Sequence, residues 1–279
     1  MTQPARTDHP RDWTRGPAFA PPIVSVQDLH KTYLTDDGKN IALDGVSFDV
    51  RSGEILSIVG PSGAGKTTVL RIIAGLLDAT SGTAVVDGAP VTGPPPEVGV
   101  VFQDYSRSLM PWLSVLGNVV LPLRARGVPR VEARLEAMNA LRAVGLAGKE
   151  RLRPSQLSGG MQQRVAIARG LAYRPKVLLM DEPFASVDAQ TRMDLEDLVL
   201  PLRERYGVTV VIVTHDIDEA VYLSDRVVVL TPPPSVVGRI VDIDLPFPRT
   251  QTATKESAQF AALRHEVLSL VRRSDPPGD

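Results

Sequence analysis

Three short stretches hold the residue types that do chemistry on phosphates. The first, "GPSGAGKTT", follows the apolar run "EILSIV" and opens into "KTTVLRIIAGLL". Glycines at such a junction let backbone N–H groups curl around phosphate oxygens, and a helix beginning there adds its own unpaired donors. Gly60, Pro61, Ser62, Gly63, Ala64, Gly65, Lys66, Thr67 and Thr68 therefore form a predicted nucleotide-binding loop. Lys66 would carry positive charge to the β- and γ-phosphates, and the Thr67 hydroxyl would ligate Mg²⁺. An ordinary glycine turn before a helix does not account for Lys-Thr at this position.

The second stretch is "VLLMDEP", an apolar run ending in Asp181 and Glu182. A buried strand of this kind delivers its last residues to the sheet edge where ligands collect. Asp181 is placed to hold Mg²⁺ through water, and Glu182, pointing elsewhere, to polarise an attacking water as general base. Two adjacent acids after an apolar run are costly unless they hold a cation or a proton. Another apolar run, "VTVVIVTHD", carries His215 to the same edge, where it would hydrogen-bond the γ-phosphate or the water. His9, His30 and His265 lie in a tail, an early strand and a terminal helix, and are read as ordinary polar residues.

The third stretch, "QLSGGMQQRVAIARG", holds a serine and two glycines at a helix start. Ser158 is a good N-cap, and Gly159 and Gly160 leave backbone donors open to an anion. The chain thus has a second anion-binding helix start besides the nucleotide loop.

These stretches need a framework. From Ile23 the pattern is of strands, with a hairpin at "TAVVDGAPV" turning on Asp87-Gly88. Residues from about 104 to 175 read as helical, and "VEARLEAMNALRAVG" closes at Gly145. Then short apolar strands and helices alternate, which predicts a mostly parallel sheet covered on both faces. The expected fold is α/β: a P-loop NTPase core, an N-terminal antiparallel β part and an inserted helical subdomain. Residues 1–22 read as a disordered tail, 23–250 as the ATPase domain, and 251–279 as an amphipathic helix over 256–273 with a tail.

The 279 residues carry a net charge of −1 and no cysteine, which excludes disulfides and thiolate metal sites and argues against a general nucleic-acid binder. No segment approaches the eighteen or so apolar residues of a membrane helix. The expectation is a soluble, cytoplasmic chain.

Together and in this order, the motifs resemble the nucleotide-binding subunit of an ATP-binding cassette (ABC) transporter, over about residues 23–245. "LSGGM" resembles the family signature, its most specific element. The resemblance makes Gln103 in "VVFQD" the glutamine that contacts Mg²⁺ and the attacking water, and Asp188 in "ASVD" the aspartate of the D-loop. It also makes Tyr33 the aromatic residue that stacks on adenine, against the plainer reading of a strand tyrosine. Met161 and Ala185 depart from the commonest family wording without removing a group needed for hydrolysis. The resemblance implies ATP and Mg²⁺ as cofactors and a head-to-tail pair of subunits, taken as a homodimer. In such a pair Ser158 and Gly160 of one chain serve the phosphate held by the other.

About fifty residues separate Gln103 from Leu157, too few for coiled-coil arms. With one cassette and no fused membrane span, the chain must borrow a multi-span permease, at the cytoplasmic face of the membrane. Tyr105, Met110, Trp112 and Leu113 either line a groove for that permease or pack the helical subdomain's own core. "FQDYSRSLMPWLSVLGNV", "FASVDAQTR" and "GRIVDIDLPFPR" resemble the nitrate/sulfonate/taurine importer group, whose substrate-binding protein would be an indirect partner. The rival readings are an exporter or other cargo motor, and a non-transport ATPase acting on a protein or nucleic acid.

Overall fold

The computed structural model describes residues 21–35, 38–104 and 108–273, so most of the expected N-terminal tail lies outside the described residues. Two sheets organise them. β1 (Val24–Thr35), β2 (Gly38–Val50), β4 (Ser81–Val86) and β5 (Ala89–Pro90) form an antiparallel sheet in the order β2-β1-β4-β5. Asp87 and Gly88 join β4 to β5 with φ of 51° and 79°. Positive φ at both central residues is what a two-residue hairpin requires.

The second sheet holds β3 (Ile55–Val59), β6 (Val98–Val101), β7 (Val177–Asp181), β8 (Thr209–Val213), β9 (Arg226–Leu230) and β10 (Val237–Asp242). Its order is β10-β9-β3-β8-β7-β6, parallel except for β10 at the edge. β3, β7 and β8 are buried along their whole length. Their alternate residues feed two different cores: Leu178, Met180, Val210 and Ile212 join one, Leu179, Val211 and Val213 the other. A sheet covered on both faces needs apolar residues at every position, which explains the continuous apolar runs.

One face carries α1 (Lys66–Ile73) together with the antiparallel sheet. The other carries α2 (Val115–Ala125), α3 (Arg130–Ala143), α4 (Gly159–Leu171), α5 (Ala189–Tyr206), α6 (Ile217–Leu223) and α8 (Ala258–Arg273). α4 joins the helical region to the sheet, because a Cβ on Gly170 would lie 3.0 Å from Leu178 and 3.4 Å from Val101.

One helix is shorter than the sequence pattern suggests, and one is added. α1 stops at Ile73 rather than running through "AGLL", because Gly75 adopts φ +66° with its backbone pressed on Gly93. The terminal helix α8 starts within two residues of its expected position at 256, and a short helix not expected from the pattern, α7 (Gln251–Lys255), precedes it. Ser257 lies between them: its Oγ donates to the Thr254 carbonyl at 2.7 Å and accepts the Phe260 N–H at 3.1 Å, capping α8.

Candidate nucleotide site

β3 delivers the glycine-rich loop. Gly63 and Gly65 sit at φ +79° and +73°, and Gly65 caps α1 with no side-chain acceptor, leaving the first helical N–H groups available to an anion. A Cβ on Gly65 would come 2.6 Å from Leu43 Cδ2, so glycine is required for space as well as for φ. Lys66 Nζ donates to the carbonyls of Gly60 and Pro61, both at 2.9 Å. Burial lowers the Lys66 pKa, opposed by the negative charges of Glu182 and Asp181. A buried ammonium hydrogen-bonded to two neutral carbonyls suits a phosphate as a further counter-ion.

The acids arrive from β7. Asp181 is 4% exposed and accepts the Thr67 hydroxyl at 3.0 Å. Burial raises its pKa, while the Thr67 hydrogen bond and Arg71 lower it. Among the described residues no group of three His, Cys, Asp or Glu could hold a metal ion. Thr67 and Asp181 offer two hard oxygen donors, which fits Mg²⁺, an ion that takes few protein ligands and completes its shell with phosphate and water.

Glu182 departs from the strand at φ +43°, a left-handed conformation rare outside glycine. Its N–H donates to the Val213 carbonyl at 2.8 Å, and its carboxylate meets partners other than the Thr67 hydroxyl that Asp181 accepts. Glu182 Oε2 lies 3.1 Å from His215 Nδ1 and accepts from Gln103 Nε2 at 3.2 Å. Loop, acid and histidine line one cavity of about 520 Å³ comprising Ser62 to Thr68, Glu182 and His215. Tyr33 extends from β1 to the same helix, its hydroxyl 3.1 Å from Thr68 Oγ1 and Lys31 Nζ 5.3 Å from its ring centre.

Ser158, Gly159, Gly160 and Asp188 do not line that cavity. Ser158 caps α4 through the Met161 N–H at 3.3 Å. Asp188 caps α5, its two oxygens accepting the Thr191 N–H at 2.9 Å and hydroxyl at 2.6 Å. Gly160 is buried against this turn, where an added Cβ would meet Thr191 Cγ2 at 2.2 Å.

A second cavity, of about 590 Å³, opens between β6, α2 and α4, with Phe102, Met110, Pro122, Arg169 and Tyr173 among its lining. Met110 was expected in such a groove; Trp112 and Leu113 do not line it, and Tyr105 lies outside the described residues. Trp112 is 67% exposed, so it does not pack the helical core.

Sequence reasoning missed two ties. Arg192 pairs with Asp216 at 3.0 Å, and Arg169 donates to the carbonyl and hydroxyl of Ser108. Neither had a local signal: the four-residue spacing of Asp188 and Arg192 and the N-cap position of Asp216 before Glu219 do not by themselves bring Arg192 to Asp216.

The family model described as "ABC transporter" matches residues 43–185. An uncharacterized ABC transporter ATP-binding protein of Methanocaldococcus jannaschii is 48% identical over 249 residues, spanning 89% of this chain and 91% of that one. The nitrate transport protein NasD of Klebsiella oxytoca is 40% identical over 259 residues, spanning 91% and 98%. A solved dimeric ATP-binding cassette in a post-hydrolysis state, bound to ADP and Pi, superposes with a TM-score of 0.69. It has 35% identity and spans 79% of this chain and 98% of that one. With its nucleotide loop, paired acids and signature helix arranged as described, the chain belongs to the ABC transporter family, as an ATP-binding subunit and ATPase similar to those of the nitrate-type importers.

Proposed function

We propose that this subunit hydrolyses ATP to drive uptake of a small oxyanion such as nitrate, an alkanesulfonate or taurine through a separate membrane permease. The observation that carries the hydrolytic part is the convergence of Gln103 and His215 on one oxygen of Glu182, at the edge of the cavity that holds Lys66. Lys66 and the loop N–H groups bind and orient the β- and γ-phosphates, and Tyr33 offers its ring to the base. Thr67, Asp181 and Gln103 would hold Mg²⁺, which when bound offsets negative charge on the phosphates. Glu182 accepts a proton from the attacking water, and His215 and Gln103 orient its carboxylate and the water.

The transport part rests on kinship with a nitrate transport protein. No helix among the described residues is long and apolar enough to cross a membrane. The proposed partner is a multi-span permease, met at the cytoplasmic face. The cavity beside Phe102 and Met110 is the proposed seat for it, with exposed Trp112 nearby in sequence. A substrate-binding protein would hand cargo to that permease.

Two subunits pair head to tail. Ser158, Gly159 and Gly160 of one chain, with Asp188, then complete the nucleotide site of the other, which gives the second anion-binding helix start its task. The test is Glu182→Gln: ATP binding is retained, steady-state hydrolysis falls ~10²–10⁴-fold, and ATP-dependent dimerisation increases. Near-normal turnover would remove Glu182 from the role.

A further inference from the structure

The first turn of α5 touches three loops that the nucleotide chemistry uses. Thr191 donates its hydroxyl and its N–H to Asp188, and its Cγ2 fills the space beside Gly160 of the signature. Arg192, the next residue, reaches Asp216, directly after His215. Asp216 Oδ1 is already engaged, capping α6 through the N–H groups of Asp218 and Glu219 at 2.9 and 3.1 Å. Its Oδ2 receives Arg192 at 3.0 Å. Capping needs only the first oxygen, so the second fixes the histidine loop laterally to α5.

We propose that this turn is a junction. Arg192 positions the histidine loop of a chain's own nucleotide site, Thr191 positions the signature that the chain lends to its partner, and Arg192 is thereby a positioning residue for both sites. The proposal rests on the reading that the signature acts across a dimer. Stability alone would not give Arg192 this reach, since a partly exposed ion pair contributes little to folding. Each side chain is about two-thirds covered, with side-chain exposures of 33% for Arg192 and 29% for Asp216. Among the described residues the buried Nε of this guanidinium has no hydrogen-bond partner, and Nη1 is held by Asp216 at 3.0 Å.

The experiment uses mixed dimers isolated through two affinity tags. One chain carries Lys66→Ala and the other Ser158→Arg. The single whole site then combines the loop and His215 of the Ser158→Arg chain with the signature of the Lys66→Ala chain. This baseline must hydrolyse ATP; if it is silent, action across the dimer fails, independently of Arg192. Arg192→Met is then added to one chain at a time. With either placement kcat should fall about tenfold while KM for ATP stays within about twofold, and Arg192→Lys should recover much of the loss. A fall only when Arg192→Met accompanies the intact loop would confine Arg192 to its own site and overturn the junction. No fall in either placement would reduce the pair to surface packing and also overturn it. Should Arg192→Met not fold, Asp216→Asn keeps the α6 cap, removes the charge, and is judged by the same two placements.

Discussion

His215 Nδ1 lies 3.1 Å from Glu182 Oε2, across the gap between the ends of β8 and β7. Gln103 reaches the same oxygen from the end of β6, so three parallel strands that lie side by side converge on one carboxylate oxygen. The carboxylate is 19% exposed, with His215 at 65%, so the histidine stands at the open side of the pair. A proton accepted at Glu182 would have a polar neighbour on either side.

The backbone of Glu182 gives the first prediction. At φ +43° a residue with a Cβ is held in a conformation that glycine adopts freely. Glu182→Gly should abolish hydrolysis yet raise stability by about 1 kcal/mol, read as a higher melting temperature. Glu182→Gln keeps the Cβ and should show the same loss of turnover without the gain. Equal melting temperatures for the two variants would show that the turn carries no strain.

Gly160 gives the second. In a helix, Gly→Ala ordinarily gains about 1 kcal/mol. Here the new methyl would meet Thr191 Cγ2 at 2.2 Å, so Gly160→Ala should lower the melting temperature and the hydrolysis rate instead. Adding Thr191→Ser removes that methyl while keeping the hydroxyl on Asp188, and should restore much of both. Additive losses in the double variant would mean that the contact does not limit either quantity.

Glu219 gives a pH prediction. It is almost fully buried on α6, and burial raises its pKa well above 4.5, helped by the charges of Glu196 and Asp216 and opposed by a Thr214 hydrogen bond and by Arg192. The folded state therefore holds a proton that the unfolded chain releases near its ordinary value. Its contribution to stability is present below that value and is lost as pH rises toward the folded pKa. Glu219→Gln cannot titrate, so its melting temperature relative to the parent should climb with pH above about 4.5. A difference that stays flat between pH 5 and pH 8 would contradict this ordering of charges.

Trp112 gives the fourth. Because it is exposed rather than packed, Trp112→Ala should leave the melting temperature within about 2 °C, in keeping with a surface substitution. Co-purification with membrane partners should nevertheless drop if this region seats the permease. Retained co-purification with unchanged transport would remove Trp112 from that contact.

The strands were legible because burial on both faces leaves no choice of residue: "VLLMD" and "TVVIV" can be little else in an α/β chain. α5 was legible from Asp188 to Gly207 because a capping acid and a left-handed glycine, at φ +59°, mark its ends. α8 was legible from its amphipathic spacing, whereas α7 ahead of it was not, since its 5 residues make little more than one turn. The nucleotide loop, the acid pair and the signature were legible as local strings. The Arg192–Asp216 and Gly160–Thr191 contacts were not, because each joins segments more than twenty residues apart. The φ of Glu182 was hidden for a different reason: nothing in its residue type announces a left-handed backbone.

In the six-stranded sheet, Val213 of β8 is the register partner of both Ile58 on β3 and Asp181 on β7. The phosphate loop and the acids therefore leave the sheet level with one another, one strand apart on either side of β8. Two ladder spacings set that separation at about 9.6 Å, a length fixed by backbone geometry. β8 is in effect a spacer bar. Side chains along it can be exchanged for others of like volume without altering the gauge of the slot, whereas a one-residue slip of β8 would put His215 out of step with both neighbours. Substitutions of like volume in "TVVIV" should therefore be tolerated where an insertion is not, both for that one reason.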